Sequence, residues 1–138
     1  IAVRTEFERG IGGLAVDPDF VTNGRIYVSY VAAANNRNTL SRFTMTGNTA
    51  TFDQQLIQST IDSAVNHHGG ALGFGPDGLL YWGVGDNAVG ANAQNLTNIH
   101  GKILRLNTDG SIPATNPVIN GSRTHVYAYG LRNPFRLT

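Results

Sequence analysis

The sequence has 138 residues, an ordinary length for one domain. Charged residues make up 14% and the formal net charge is +1, so the chain lacks the basic field that a nucleic-acid platform needs. It has no cysteine, which removes disulfides and thiolate chemistry, and no apolar run approaches the roughly 18 residues of a membrane span. The chain opens at Ile1 rather than at a methionine, and Pro134 to Thr138 reads as the beginning of a strand. Both features suggest a piece of a longer protein, in which a signal peptide would not be visible here.

In chain order, Gly12 to Asp17 reads as a short buried strand. Pro18-Asp19 turns the chain, and Asn23-Gly24 is a strong turn dipeptide. Arg25 to Val31 carries aromatic and β-branched residues and reads as a strand. Thr39 to Thr46 alternates Leu40, Arg42 and Thr44 with Ser41, Phe43 and Met45, a third strand. Gly47-Asn48 turns again, and Ala50 to Ile57 gives a fourth. Gly70 to Phe74, the turn Gly75-Pro76-Asp77-Gly78 and Leu79 to Val84 form strand, turn, strand. Ala91 to Ile99 has no sustained apolar stripe and is expected to be a loop with at most one helical turn. Lys102 to Asn107 and Thr124 to Tyr129 complete the strands.

The second half repeats the first. Pro18 and Pro76 are 58 residues apart, and so are Leu14 and Leu72. Ile26-Tyr27 matches Leu80-Tyr81 after a shorter turn. Repeats of about four short strands are the signature of a β-propeller, in which each blade buries its faces only against its neighbours. The expected fold is therefore all-β, a propeller fragment with repeat units at 8–65 and 66–131 and the start of a further blade at 132–138. His67 lies nine residues before Pro76, and Arg9 lies nine before Pro18. Arg132 falls near the same point of the next unit. Successive blades are rotations of one another, so periodicity places Arg9, His67 and Arg132 at one mouth of a channel.

Each residue also has a plain structural reading. His68 is expected to be structural or at the rim, with its side chain turned away from that of His67. Arg132-Asn133 before Pro134 could form a strand-capping turn, Asp86 could satisfy loop amides, and Lys102 could open a strand with a solvated ammonium. Gly69 and Gly70 would let the backbone pass close to a neighbour.

A series of motifs runs from Glu8-Arg9-Gly10-Ile11-Gly12-Gly13 through Asn66-His67-His68-Gly69-Gly70 and Gly85-Asp86-Asn87. Gly101-Lys102-Ile103-Leu104-Arg105, Asp109-Gly110-Ser111-Ile112-Pro113 and Tyr129-Gly130-Leu131-Arg132-Asn133-Pro134-Phe135 follow. In their order these motifs resemble the soluble pyrroloquinoline-quinone (PQQ) dependent sugar dehydrogenases, the glucose/sorbosone dehydrogenase family. The resemblance implies a six-bladed propeller, of which this chain would be about a third. It implies that His67 is the general base, that Arg132 and Asn133 contact the quinone oxygens, and that Glu8 and Asn66 stand near the substrate. Glu8 stands near a position where the glucose enzymes carry a glutamine, and Asn66 stands where they have an aspartate, which leaves the sugar open. Calcium is implied as well, with its ligands in blades outside this chain. So are a sugar substrate, an external electron acceptor and a secreted or periplasmic location in a bacterium.

Three functions remain open from the sequence. One is a quinone-dependent sugar or aldose dehydrogenase. Another is a non-catalytic extracellular propeller that binds carbohydrate or a protein partner, since fold alone does not fix function. The third, a metal-dependent hydrolase, needs converging acidic ligands where this chain has His and Arg.

Overall fold

A computed structural model describes residues 1–138. The first antiparallel sheet is β1 (Ile11–Val16), β2 (Arg25–Ala32), β3 (Arg37–Thr46) and β4 (Thr49–Gln58), each strand paired with the next. The second is β5 (Leu72–Phe74), β6 (Leu80–Val84), β7 (Lys102–Leu106) and β10 (Val126–Tyr129), again in sequential order. A small hairpin, β8 (Val118–Ile119) and β9 (Ser122–Arg123), precedes the last strand and was not expected. Helix is confined to one turn at Phe20–Asn23 and a 3-10 turn at Gly90–Gln94, which overlaps the start of the expected loop. No helix is long and apolar enough to cross a membrane.

The repeat seen in the sequence is also a repeat of register. Leu14 lies opposite Val28 and Val16 opposite Ile26; in the second sheet Leu72 lies opposite Trp82 and Phe74 opposite Leu80. Tyr27 faces Arg42 across β2 and β3 as Tyr81 faces Arg105 across β6 and β7. The alternation in β3 does not separate a wet side from a dry one, because every residue from Asn38 to Phe43 is buried. One face packs on the second sheet, and on the other Phe43 meets Phe52 edge to face and the Tyr30 hydroxyl bonds that of Ser41.

The core sits between the two sheets. Tyr27 and Leu40 of the first sheet join Leu80, Trp82, Leu104 and Leu106 of the second. Burial of side chains this large contributes about 1.5–3 kcal/mol each. The Tyr27 ring meets the Phe74 ring edge to face at 5.3 Å, and its hydroxyl donates to Asp17 Oδ2 at 2.8 Å. A polar clasp closes the outer edge of the joint. Arg42 Nη1 donates to Thr108 O at 2.7 Å, and Gln54 Nε2 donates to Asp109 O at 3.2 Å. The Thr108-Asp109-Gly110 turn of the second unit thus docks on the first sheet.

At the inner edge, β1 packs beside β5, and the contact is backbone on backbone. A Cβ on Gly70 would lie 2.5 Å from Gly12 O, and the Gly70 φ of 116° is itself one that side chains rarely adopt. The steric reading of Gly70 therefore holds. The expectation of a strand at Pro134–Thr138 does not: the segment is irregular. Its recorded backbone bond runs from Ala71 N to Pro134 O, and a strand needs a paired ladder rather than one contact.

Gly70→Ala should destabilise the protein by at least about 2 kcal/mol, since overpacking and a forbidden φ add. Gly73→Ala is the control, because nothing lies within 4 Å of its Cβ position. It should change stability by less than about 0.5 kcal/mol. Urea unfolding of both variants makes the comparison.

Candidate active site

The site is built on the turn His67-His68-Gly69-Gly70, which leads into β5. His67 adopts a left-handed backbone conformation, φ 63°. For a residue with a Cβ that costs about 1–2 kcal/mol, so the surroundings must over-determine it. They do so from three stretches of chain. Glu8 Oε2 accepts the His67 N–H at 2.8 Å, and Asn87 N donates to His67 O at 3.3 Å. Asn133 Oδ1 accepts the Gly69 N–H at 2.8 Å.

Asp86 leaves the end of β6 through Gly85 and sits beneath this turn. Its Oδ1 lies 2.7 Å from His67 Nδ1. The Asp86 side chain is 7% exposed and that of His67 16%. An ionised carboxylate only accepts hydrogen bonds, so His67 Nδ1 carries the proton. In the neutral ring Nε2 then carries the lone pair, and no protein group engages that atom. Asp86 N donates to Arg132 O at 2.7 Å, which ties the third stretch to the same point.

His67, Asp86, Gln94, Leu131 and Arg132 line one cleft of about 470 Å³. The Arg132 guanidinium is exposed and makes no hydrogen bond or ion pair with the protein. It brings a free set of N–H donors to the cleft that holds a histidine lone pair. Such a cleft can accept a proton and bind an anionic or carbonyl oxygen.

The expected site residues are therefore unequally placed. His67 and Arg132 meet in the cleft. Asn133 spends its carbonyl on Gly69 and keeps its amide nitrogen free. Glu8 is exposed and reaches the site through the His67 backbone. Asn66 is half-buried and lies outside the cleft lining. Arg9 does not join the basic cluster that periodicity suggested. Its Nη2 donates to Ser63 O at 3.1 Å, and its Nη1 lies 3.8 Å from Glu6, so local partners draw it away.

Two structural readings need correction. The Asp86 carboxylate orients His67, whereas Asn87 Oδ1 is the group that satisfies a loop amide, that of Ala64 at 2.6 Å. A nineteen-residue gap hid the pair, and only the strand–turn–strand path of β5 and β6 brings it together. Lys102 opens β7 as expected, but it is fully buried instead of solvated. Its Nζ donates to Asn92 O at 2.9 Å and to His100 O at 2.5 Å, and burial lowers its pKa to about 8. His68 is buried and directed away from the cleft, as expected. No group of three or more His, Asp or Glu side chains gathers as a metal site.

The family model for glucose/sorbosone dehydrogenases matches residues 1–138, and the chain belongs to that family. Over 155 residues it is 30% identical to quinoprotein glucose dehydrogenase B of Acinetobacter calcoaceticus, covering 92% of this chain and 32% of that protein. The structure of the PQQ-bound form of aldose sugar dehydrogenase from Streptomyces coelicolor superposes with a TM-score of 0.84 at 31% identity, covering 96% of this chain and 39% of that one. Human Hedgehog-interacting protein is 32% identical over 154 residues, covering 94% of this chain and 22% of that protein. The chain thus spans about a third of the quinoprotein's length.

The buried histidines give the fold a pH dependence. Burial lowers the His100 pKa from 6.5 to about 4, and it lowers that of His68 as well. The unfolded chain then binds more protons than the folded one below pH 6.5, so stability falls as the pH drops through that window. Urea midpoints should decrease between about pH 7 and pH 5, and His100→Asn should flatten the slope. A wild-type midpoint that holds constant over this range would contradict neutral burial.

Proposed function

We propose that this chain is part of a PQQ-dependent sugar (aldose) dehydrogenase. In it the units at 8–65 and 66–131, with the start of another at 132–138, belong to a six-bladed propeller. The observation that carries the reading is the His67–Asp86 pair, 2.7 Å apart, in one cleft with an unpaired Arg132, in a chain of this family. The residues fit the cofactor chemically. Arg132 and the Asn133 amide are donors without protein partners, and a tricarboxylated quinone presents acceptor oxygens. Once bound, the quinone supplies the two-electron acceptor for the hydride from the sugar C1.

The chain's own residues handle the proton. His67 Nε2 takes it from the C1 hydroxyl, which must come within about 3 Å. Asp86 fixes the tautomer that leaves this lone pair available and stabilises the imidazolium that forms. Glu8 and Asn133 hold the turn, and Arg132 balances negative charge on the acceptor side. Glu8 and Asn66 are placed near the substrate on this reading. Calcium, the external electron acceptor and a secreted or periplasmic setting belong to the same proposal, with the calcium ligands in the rest of the protein.

The similarity to Hedgehog-interacting protein keeps a second reading in view, an extracellular propeller that binds a protein partner or carbohydrate without turnover. The two separate in steady-state kinetics of the full-length protein reconstituted with PQQ and calcium. His67→Gln should lower turnover by at least about 10²-fold, the usual weight of a general base. Asp86→Asn should lower it by about 10²–10⁴-fold through loss of the working tautomer. His125→Gln, whose Nε2 lies 2.9 Å from Gly110 O, should keep wild-type turnover. A His67→Gln protein that keeps most of its turnover, or a wild type without any, would favour the binding reading.

A further inference from the structure

Behind the His67 turn, the joint between the two sheets holds a second cluster of polar groups. Ser29 of β2, Asn38 of β3, His68 of the turn and Trp82 of β6 are 2%, 2%, 7% and 1% exposed. Ser29 Oγ, Asn38 Nδ2, His68 Nε2 and Trp82 Nε1 are all buried without a protein partner. Only one other buried side-chain atom shares that condition, Asn36 Oδ1, and it lies elsewhere. The four side chains line a single cavity, against Gly12 and Gly70. Each buried polar group left unpaired costs about 1–3 kcal/mol. Four together would take up much of the 5–15 kcal/mol by which a domain is typically stable.

The donors and acceptors can be assigned. Trp82 Nε1 and Asn38 Nδ2 can only donate. Ser63 Oγ donates to Ala64 O at 2.9 Å, so it offers a lone pair to His68 Nδ1 at 3.4 Å. Nδ1 therefore carries the His68 proton, and Nε2 can only accept. Ser29 Oγ can do either. The set is two fixed donors, one fixed acceptor and one hydroxyl. A water molecule complements it: two lone pairs take the N–H groups of Trp82 and Asn38, and two hydrogens go to His68 Nε2 and Ser29 Oγ. An anion would need His68 protonated, which burial opposes. A cation would face two N–H groups, and the Glu8 carboxylate that also lines the cavity already accepts the His67 N–H. The cavity leaves about 10 Å³ for the centre of a guest, the room one water needs.

We propose that one buried water molecule is bound at this joint as a fixed part of the structure, bridging the first sheet to the second through Ser29, Asn38, His68 and Trp82. It completes on the polar side the joint that Gly12 and Gly70 make by close approach. Because it seats His68, it also steadies the residue next to His67. The site concerns the joint between sheets and stands whether or not the protein oxidises sugar.

A high-resolution crystal structure of the full-length protein tests it. A single spherical peak within about 2.7–3.2 Å of all four atoms is the expected result. A peak absent there, or an anomalous peak at the same place after a bromide soak, overturns the proposal. In ¹⁵N NMR, His68 should be the neutral tautomer with its proton on Nδ1; a proton on Nε2 would overturn the arrangement. Trp82→Phe removes one donor without emptying the joint. The water peak should then weaken or shift toward Asn38 while the other three contacts persist, and an unchanged peak would show that Trp82 takes no part.

Discussion

The contact between Gly12 and Gly70 governs the rest of the structure. Strand β1 and the turn leading into β5 pass so closely there that a Cβ on Gly70 would strike Gly12 O and one on Gly13 would strike Gly70 O. That closeness forces the residues around it into unusual roles. Gly70 takes a positive φ, and so does Gly69. The chain then enters β5 through a turn tight enough to hold His67 in the left-handed region. The inner joint is thus made of backbone, the middle of side chains around Trp82 and Tyr27, and the outer edge of the Arg42 and Gln54 clasp on Thr108 and Asp109.

The candidate site follows from how that turn is held. A histidine in a strained backbone conformation persists only where other groups fix it. Here the groups that fix the turn come from Glu8, from Asp86-Asn87 and from Asn133, far apart in sequence. Each also stands at the cleft or next to a residue that does. Positioning and chemistry are therefore not separable at this point. Removing Asn133 would free the Gly69 amide as well as a donor. Removing Glu8 would release the His67 backbone. Asp86 differs from both, because its bond is to the imidazole itself and decides which nitrogen faces the cleft.

Much of the fold was legible in the sequence because it depends on local signals. The strands show in β-branched and aromatic runs, and the turns in Asn-Gly, Pro-Asp and Asp-Gly pairs. The 58-residue offset reappears as matching cross-strand partners, Leu14 with Val28 and Leu72 with Trp82. The β8–β9 hairpin was missed because each of its strands has two residues, too few for any periodicity. Pro134 to Thr138 carries strand-like residues, but a strand is a pairing, and composition does not supply a partner. Of the site, His67 and Arg132 were legible through motif and repeat position. Asp86 was not, because an aspartate after a strand and a glycine looks like any loop aspartate until the register of β5 on β6 is known. Lys102 misled for the same reason: an ammonium can be buried when backbone carbonyls receive it, and those of Asn92 and His100 are placed by a loop with no regular pattern.

The repeat also explains why equivalent positions end with different chemistry. Arg9 and His67 hold the same place relative to their prolines, yet Arg9 turns to Ser63 and Glu6 while His67 turns to Asp86. The side chain follows the nearest partner of opposite kind, and the partners are not part of the repeat. Arg105 makes the same point farther out. It faces Tyr81 as Arg42 faces Tyr27, but Arg42 reaches a carbonyl of the other unit, whereas the Arg105 guanidinium stacks over Tyr127 at 4.5 Å and bonds Asn116 within its own. A blade-like unit fixes where a residue stands, and the loops between units decide what it meets. In this chain the loop that carries Asp86 gives one repeated position a histidine held by a carboxylate.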